Sequence, residues 1–295
     1  MTDNAVRMSE FAILFVHLQH QRLEISQKKS TFVPTNRDNI LQKQLSMATE
    51  QAIFRRAELL LGQEAMERIA SKKVIIFGVG GVGSWCAESL IRTGIRHLTI
   101  VDSDRVCITN VNRQLMATTK TIGQVKVEAL HERLLTINPH AEIVAMPQVF
   151  NEETATSFNI SSYDYVIDAI DSLKDKALLI LTATAAGVKL FSSMGAALKS
   201  DPTRIKVKEF WKIEGDPLAR ALRKRFKRDS SYPTAKFLCV FSDELLQNQG
   251  APDTADANTA EEGMWMKAQT NGSIVHITAI FGFTLAGLVV EDAKR

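Results

Sequence analysis

Residues 73–84 read Lys-Val-Ile-Ile-Phe-Gly-Val-Gly-Gly-Val-Gly-Ser, and the fold turns on this stretch. Residues 73–77 are a short apolar, β-rich run that ends at Gly78. Residues 84–94 (SWCAESLIRTG) then take helical spacing and close on Gly94, a helix-stop signal. A G-x-G-x-x-G match acquires meaning only in such a strand-to-helix setting. Gly78 permits the tight turn, Gly80 lets backbone approach a phosphate, and Gly83 allows close helix packing. The helix N-terminus presents unpaired N–H groups to an anion. Asp102 closes the next strand 19 residues after Gly83, where an acid accepts hydrogen bonds from a ribose. Alone, the pattern reads as a nucleotide site and leans toward a dinucleotide.

Outward from the loop, strand and helix alternate. HLTIVD (97–102), EIVAMP (142–147), YDYVIDAI (163–170) and KLFSSM (189–194) read as strands. GQVKVEALHERLLTIN (123–138) and SLKDKALLILTATAAG (172–187) read as helices, the first stopped by Pro139 and the second by its own glycine. This interleaving predicts an α/β fold, a doubly wound, Rossmann-like, mostly parallel sheet. After Gly195 the rhythm changes to a strand, IKVKEF (205–210), a basic helix, DPLARALRKRFKR (216–228), and a polar loop at 247–263. Residues 274–290, interrupted by His276 and two threonines, read as an apolar helix buried in the core or a subunit interface. Residues 1–46 have no sustained period and read as a poorly ordered N-terminal extension. A fresh start at Met47 opens a domain running to 295.

Composition narrows the class. With 295 residues, 45% apolar and 23% charged, the chain is that of an ordinary globular domain, which excludes collagen-like and wholly disordered readings. The net charge of +3 is too small to call the whole molecule basic, so a nucleic-acid argument rests on local clustering. The three cysteines form no C-x-x-C pair, which excludes a disulfide framework and a zinc knuckle, and no histidine has metal-ligand spacing. The expected compartment is reducing and cytoplasmic. The apolar run 11–18 lacks a cleavage site and leads straight into a polar stretch, unlike a signal peptide.

The segment beyond the second strand shifts the reading away from a dinucleotide. Asp102-Ser-Asp104 leads into Asn110-Val-Asn112-Arg113-Gln114 and then Gly123-Gln-Val-Lys126. A hydride-transfer enzyme has no use for such cations and amides. A triphosphate does, because charge building on phosphoryl oxygens is stabilised by Arg and Lys clamps. Asp168-Ala-Ile-Asp171 sits at the C-terminal end of a parallel strand, where a carboxylate can hold Mg²⁺.

These spaced motifs, in this order, resemble the ubiquitin-activating-type adenylyltransferase superfamily of ThiF and MoeB, over residues 50 to 290. The resemblance implies ATP-dependent activation of a carboxylate by adenylation. Gly78, Gly80, Gly81 and Gly83 would hold the phosphates and Asp102 the ribose, with Asp104 and Asn110 lining the site. Arg113, Gln114 and Lys126 would grip phosphate, and Asp171 would hold Mg²⁺. The family's R-[FY]-x-R, which reaches the ATP of a partner subunit, is met only in part by Ile53-Phe54-Arg55-Arg56. Arg56 takes the second arginine's place and Ile53 departs from the pattern. A homodimer is implied, and the resemblance leaves open whether K⁺ or Na⁺ orders the site.

Within that superfamily, GVGGVGSW, Asp168-x-x-Asp171-Ser172, Asp216-Pro217-Leu218-Ala219, Cys239-Val-Phe241-Ser242 with Glu244, and FGFTLAG (281–287) resemble the tRNA threonylcarbamoyladenosine dehydratase branch. The reaction implied is ATP-dependent cyclisation of the threonylcarbamoyl group beside the anticodon. On this reading residues 71–195 are the nucleotide-binding core and 196–295 carry tRNA-binding and dimer elements. Residues 199–228 hold eleven Lys or Arg against four acids. Arg220, Arg223, Lys224, Lys227 and Arg228 share helical spacing that can follow a phosphate backbone, with Phe210 and Trp211 placed to stack on a splayed base. Cys239 stands either as a nucleophile forming a transient acyl enzyme or as a small buried hydrophobe. Cys86 and Cys107 read as packing residues. Competing readings are an adenylyltransferase for the C-terminal glycine of a ubiquitin-like sulfur carrier, a binding module that has lost turnover, and an NAD-linked oxidoreductase. A cysteine-desulfurase or other sulfur-acceptor partner is left open.

Overall fold

The computed structural model describes Glu50, residues 52–250 and residues 271–295. The expectation for 1–46, and most of that for the loop 247–263, falls outside the described residues. A helical segment at 52–61 precedes α1 (Gln63–Ser71). Next come β1 (Lys73–Phe77), α2 (Gly83–Arg92), β2 (His97–Val101), α3 (Lys126–Leu135), β3 (Glu142–Met146) and β4 (Tyr165–Asp168). The chain continues with α4 (Leu173–Ala185), β5 (Lys189–Ser193), β6 (Ile205–Glu209), α5 (Pro217–Arg228), β7 (Leu238–Ser242) and α6 (Val275–Ala293).

The seven strands form one sheet in the order β3-β2-β1-β4-β5-β7-β6. Every pairing is parallel except β6 with β7. Parallel strands covered on both faces are apolar on both faces, as β1 shows. Val74 and Ile76 join one buried cluster, completed by α1, α2, α3 and α6, while Ile75 and Phe77 join another, completed by α4 and α5. At one sheet edge β6 exposes Lys206 and Lys208, charges that discourage pairing with another strand.

One feature goes beyond the sequence reading, and one expectation is met. Residues 238–242 carry no strand expectation, yet β7 enters between β5 and β6 and receives both. The apolar helix α6, long and apolar enough by length and composition to cross a membrane, contributes Ile277, Phe281, Leu285 and Val289 to the core. Its Gly282 lies so close to α2 that a Cβ there would stand 2.5 Å from the Val82 carbonyl oxygen and 2.8 Å from Cys86 N.

Candidate active site

The chain reverses its direction of winding at β1, with β2 and β3 on one side and β4 and β5 on the other. At such a switch point the loops leaving neighbouring strands diverge and open a crevice. A cavity of about 710 Å³ runs along this C-terminal edge, lined in strand order by Asp102 after β2, Gly78 after β1, residues 169–172 after β4 and residues 194–199 after β5.

The glycine loop is built by contact as much as by conformation. Gly78 has φ 85°, and a Cβ on it would stand 2.6 Å from the Ala169 carbonyl oxygen. A Cβ on Gly83 would collide with the Gly78 carbonyl oxygen. Asp102 ties the loop to β2, its Oδ2 accepting from Val79 N at 2.9 Å and its Oδ1 from Asp104 N at 2.9 Å. Lys126, buried at the start of α3, donates to Asp104 Oδ2 at 2.7 Å. Arg113 lines the cavity with its guanidinium held by Thr109 O and Asn112 Oδ1, both at 2.9 Å. Gln114, also in the wall, has a buried Oε1 with no partner among the described residues. Open backbone, a lysine and an arginine fit phosphates, and the unpaired amide oxygen, an acceptor, fits a donor on the nucleoside. Among the described residues no group of three His, Cys, Asp or Glu is placed to hold a metal ion, so beyond Asp171 a Mg²⁺ would take its ligands from phosphate oxygens and water.

The loop after β4 divides its two carboxylates. Asp171 is exposed and lines the cavity. Asp168 is fully buried, receiving Lys176 Nζ at 2.9 Å and Ser192 Oγ at 2.6 Å. Lys176, equally buried, also donates to Ile170 O at 3.0 Å, so it braces the loop that carries Asp171. Sequence reasoning missed this lysine. A Lys on the apolar face of a helix packed on the sheet was the available signal.

Beyond β5 the wall is formed by residues 194–199, the N-terminus of α5 and Leu245. Glu244 secures this loop by accepting from Ser200 N at 2.8 Å and Asp201 N at 2.9 Å, and those hydrogen bonds hold its carboxyl below the usual range. Lys199 is buried with its amine on Glu244 O at 2.6 Å, and burial pulls its pKa down. Asp216 caps α5 through Oδ1, which accepts from Ala219 N at 2.8 Å, while its buried Oδ2 has no partner among the described residues.

Several expected residues stand elsewhere. Asn110 is absent from the cavity lining, and its Oδ1 accepts from Cys107 N at 3.0 Å, bracing a turn. Arg56 is exposed and does not line the cavity of its own chain. Cys239 is fully buried in the sheet core and absent from the cavity lining, and burial raises its thiol well above the ordinary value, which favours the small-hydrophobe reading over the nucleophile. Cys107 is exposed rather than packed, its Sγ accepting from Thr109 Oγ1 at 3.5 Å, a contact that lowers its pKa.

The basic helix is only partly available. Arg220, Lys224 and Lys227 are exposed, but Arg223 donates to Phe210 O at 3.1 Å and Arg228 pairs with Asp229 at 2.7 Å. Phe210 is core, stacked on Phe237, so of the two expected stacking rings only Trp211, 43% exposed, faces outward.

An open parallel sheet with a phosphate-sized glycine loop, cations and a free carboxylate at its switch point defines a nucleotide-binding α/β protein equipped for phosphoryl chemistry. The chain belongs to the ThiF family, whose sequence profile matches residues 54–290. It is 41% identical over 245 residues to the tRNA threonylcarbamoyladenosine dehydratase of Bacillus subtilis (strain 168), spanning 82% of this chain and 94% of that relative. It is 38% identical over 233 residues to the protein of the same name in Escherichia coli (strain K12), spanning 76% of this chain and 87% of that one. Among solved structures, E. coli tRNA N6-threonylcarbamoyladenosine dehydratase, TcdA, in complex with ATP superposes with a TM-score of 0.71 at 33% identity, covering 82% of this chain and 94% of that one.

Proposed function

We propose that the chain is an ATP-dependent tRNA threonylcarbamoyladenosine dehydratase, which adenylates the threonyl carboxylate of the modified nucleoside and cyclises it. The observation that carries this reading is the continuity of the cavity along the sheet edge: a nucleotide end at β2 and β1, Asp171 on the β4 loop, and a second end at β5 and α5. A carboxylate entering from the second end meets the α-phosphorus of a nucleotide held at the first.

The carboxylate oxygen bonds to that phosphorus and pyrophosphate departs, with Arg113 and Lys126 offsetting the charge on the phosphoryl oxygens. Gln114 donates to a phosphate oxygen, and Asp102 accepts from a ribose hydroxyl. Bound Mg²⁺, held by Asp171, would supply further charge neutralisation on the phosphates. The ureido group then attacks the acyl carbon through nitrogen or oxygen, and AMP leaves. Both reacting groups hang on one side chain, so proximity lowers the second barrier and no external thioester is needed.

The exposed Arg220, Lys224 and Lys227 with Trp211 form the tRNA platform, and Arg56 acts in trans within a homodimer. Exposed Leu59 and Leu60 on the same helical segment as Arg56 support such an interface. Three free cysteines suit a reducing cytoplasm. The test is mass spectrometry of nucleosides after incubating purified protein, ATP and tRNA carrying threonylcarbamoyladenosine. Loss of one water from that nucleoside is the expected result, and its absence would end the proposal. Asp171→Ala should lower AMP formation at least ~100-fold with an unchanged melting temperature, since the residue is exposed.

A further inference from the structure

We propose that Asp216 is the general base of ring closure, its Oδ2 taking the N–H proton that the threonylcarbamoyl group must lose. This inference rests on the dehydratase reading and assigns a step that reading leaves without a residue.

The position comes first. Asp216 lines the cavity at its β5 and α5 end, the end left for the acyl substrate once a nucleotide lies over β2 and β1. Gly195, in the loop after β5, brings only backbone toward it, and a Cβ there would stand 4.0 Å from Asp216 Oδ2.

The second observation is an oxygen that the fold does not use. Capping α5 needs one acceptor, and Oδ1 supplies it to Ala219 N. Serine or asparagine would cap as well as aspartate. Yet a carboxylate is present at 1% exposure, with Oδ2 unpaired among the described residues. A buried polar atom without a partner is costly, so its presence points to a ligand donor that arrives with substrate.

The neighbouring cations Lys199 and Lys176 act on this carboxyl only through space and spend their hydrogen bonds elsewhere. On the loop after β5, Lys199 is committed to Glu244 O. On α4, Lys176 is committed to Asp168 and Ile170 O. After β7, Asp243 is neutralised by Arg204 and Lys206, while Cys239 on β7 carries no charge. Burial raises the Asp216 carboxyl above its ordinary value, which makes its ionised form a stronger base.

The chemistry requires such a group. Whether ureido nitrogen or ureido oxygen closes on the acyl carbon, the ring is neutral only after an N–H proton has left. One bond forms to the acyl carbon, the bond from that carbon to the adenylate oxygen breaks, and AMP carries off the electron pair. The proton passes to Oδ2 as that bond breaks.

The experiment is a single turnover with ATP and tRNA bearing threonylcarbamoyladenosine, following pyrophosphate and cyclic nucleoside separately in wild type, Asp216→Asn and Asp216→Ser. Both variants keep a cap and remove the base. The expected result is release of pyrophosphate with cyclic nucleoside appearing about 100-fold more slowly, and a melting temperature held or raised because a desolvated carboxyl is gone. Cyclic product at the wild-type rate, or an equal loss of pyrophosphate and product, would overturn the assignment. Should neither variant fold, the wild-type pH profile of ring closure decides. A rate falling toward acid with a midpoint above the ordinary carboxylate range supports Asp216, and a flat profile through that range overturns it. Wild type that forms no cyclic nucleoside removes the functional reading itself, a result visible before any variant is compared.

Discussion

Two buried carboxylates, Asp168 and Asp216, lie within reach of the same sheet edge and are treated differently by their surroundings. Asp168 is satisfied on both oxygens by Ser192, Lys176 and Ile170 N, so it is structural. Asp216 is satisfied on one. A third residue, Cys239, shows why a motif cannot assign chemistry alone. Its thiol would have to ionise to attack a carbonyl, and at zero exposure burial opposes the charge. Cys239→Ala should therefore keep ring closure within a few-fold of wild type while losing about 1 kcal/mol of stability for the small void left in the core. Denaturant unfolding and single-turnover kinetics measure the two effects separately.

At the scale of elements, α4 does more than cover the sheet. Through Lys176 it holds the β4 loop from beneath, joining a packing helix to the position of Asp171. Lys176→Met leaves Asp168 buried and uncompensated, a loss expected to reach about 3–5 kcal/mol in denaturant unfolding. Adding Asp168→Asn should recover most of that stability, because the stranded charge is removed with its partner. The double variant should still need more Mg²⁺ for ATP–pyrophosphate exchange, since the loop under Asp171 has lost its brace. If the double variant is as unstable as the single one, the pair is not the source of the loss. β7 shows the same limit of local reading from the other side. Residues 238–242 are five residues long and come after an irregular polar stretch, and what makes them a strand is the empty edge of β5 they complete.

Across the whole molecule, charge is concentrated rather than spread. The chain carries +3, yet 199–228 holds eleven of its 36 Lys and Arg. Tertiary contacts then select among them. Arg204 and Lys206 serve Asp243, Arg223 serves Phe210 O, and Arg228 serves Asp229. What remains exposed on α5 outside these pairings is Arg220, Lys224 and Lys227, at spacings that keep them on one face. Replacing these three with Glu should weaken tRNA binding and reduce the slope of log affinity against log salt by about 2 to 3. Nitrocellulose filter binding across a salt series gives the slope directly. An unchanged slope would place the tRNA contact on another surface.

From β1 to α5 the order of strands and helices, together with the parallel sheet and the glycine loop, was determined by local pattern, because period, stop signals and turn glycines act over a few residues. The candidate nucleotide end was legible for the same reason, as most of its residues lie just past strand ends in motifs of fixed spacing. What only the tertiary structure decided depends on partners distant in sequence. Burial neutralised Cys239, a lysine one turn into α4 claimed Asp168, and the approach of the loop after β5 to α5 left one oxygen of Asp216 without a donor. Desolvation and pairing belong to three-dimensional neighbourhoods, and no window of sequence contains them.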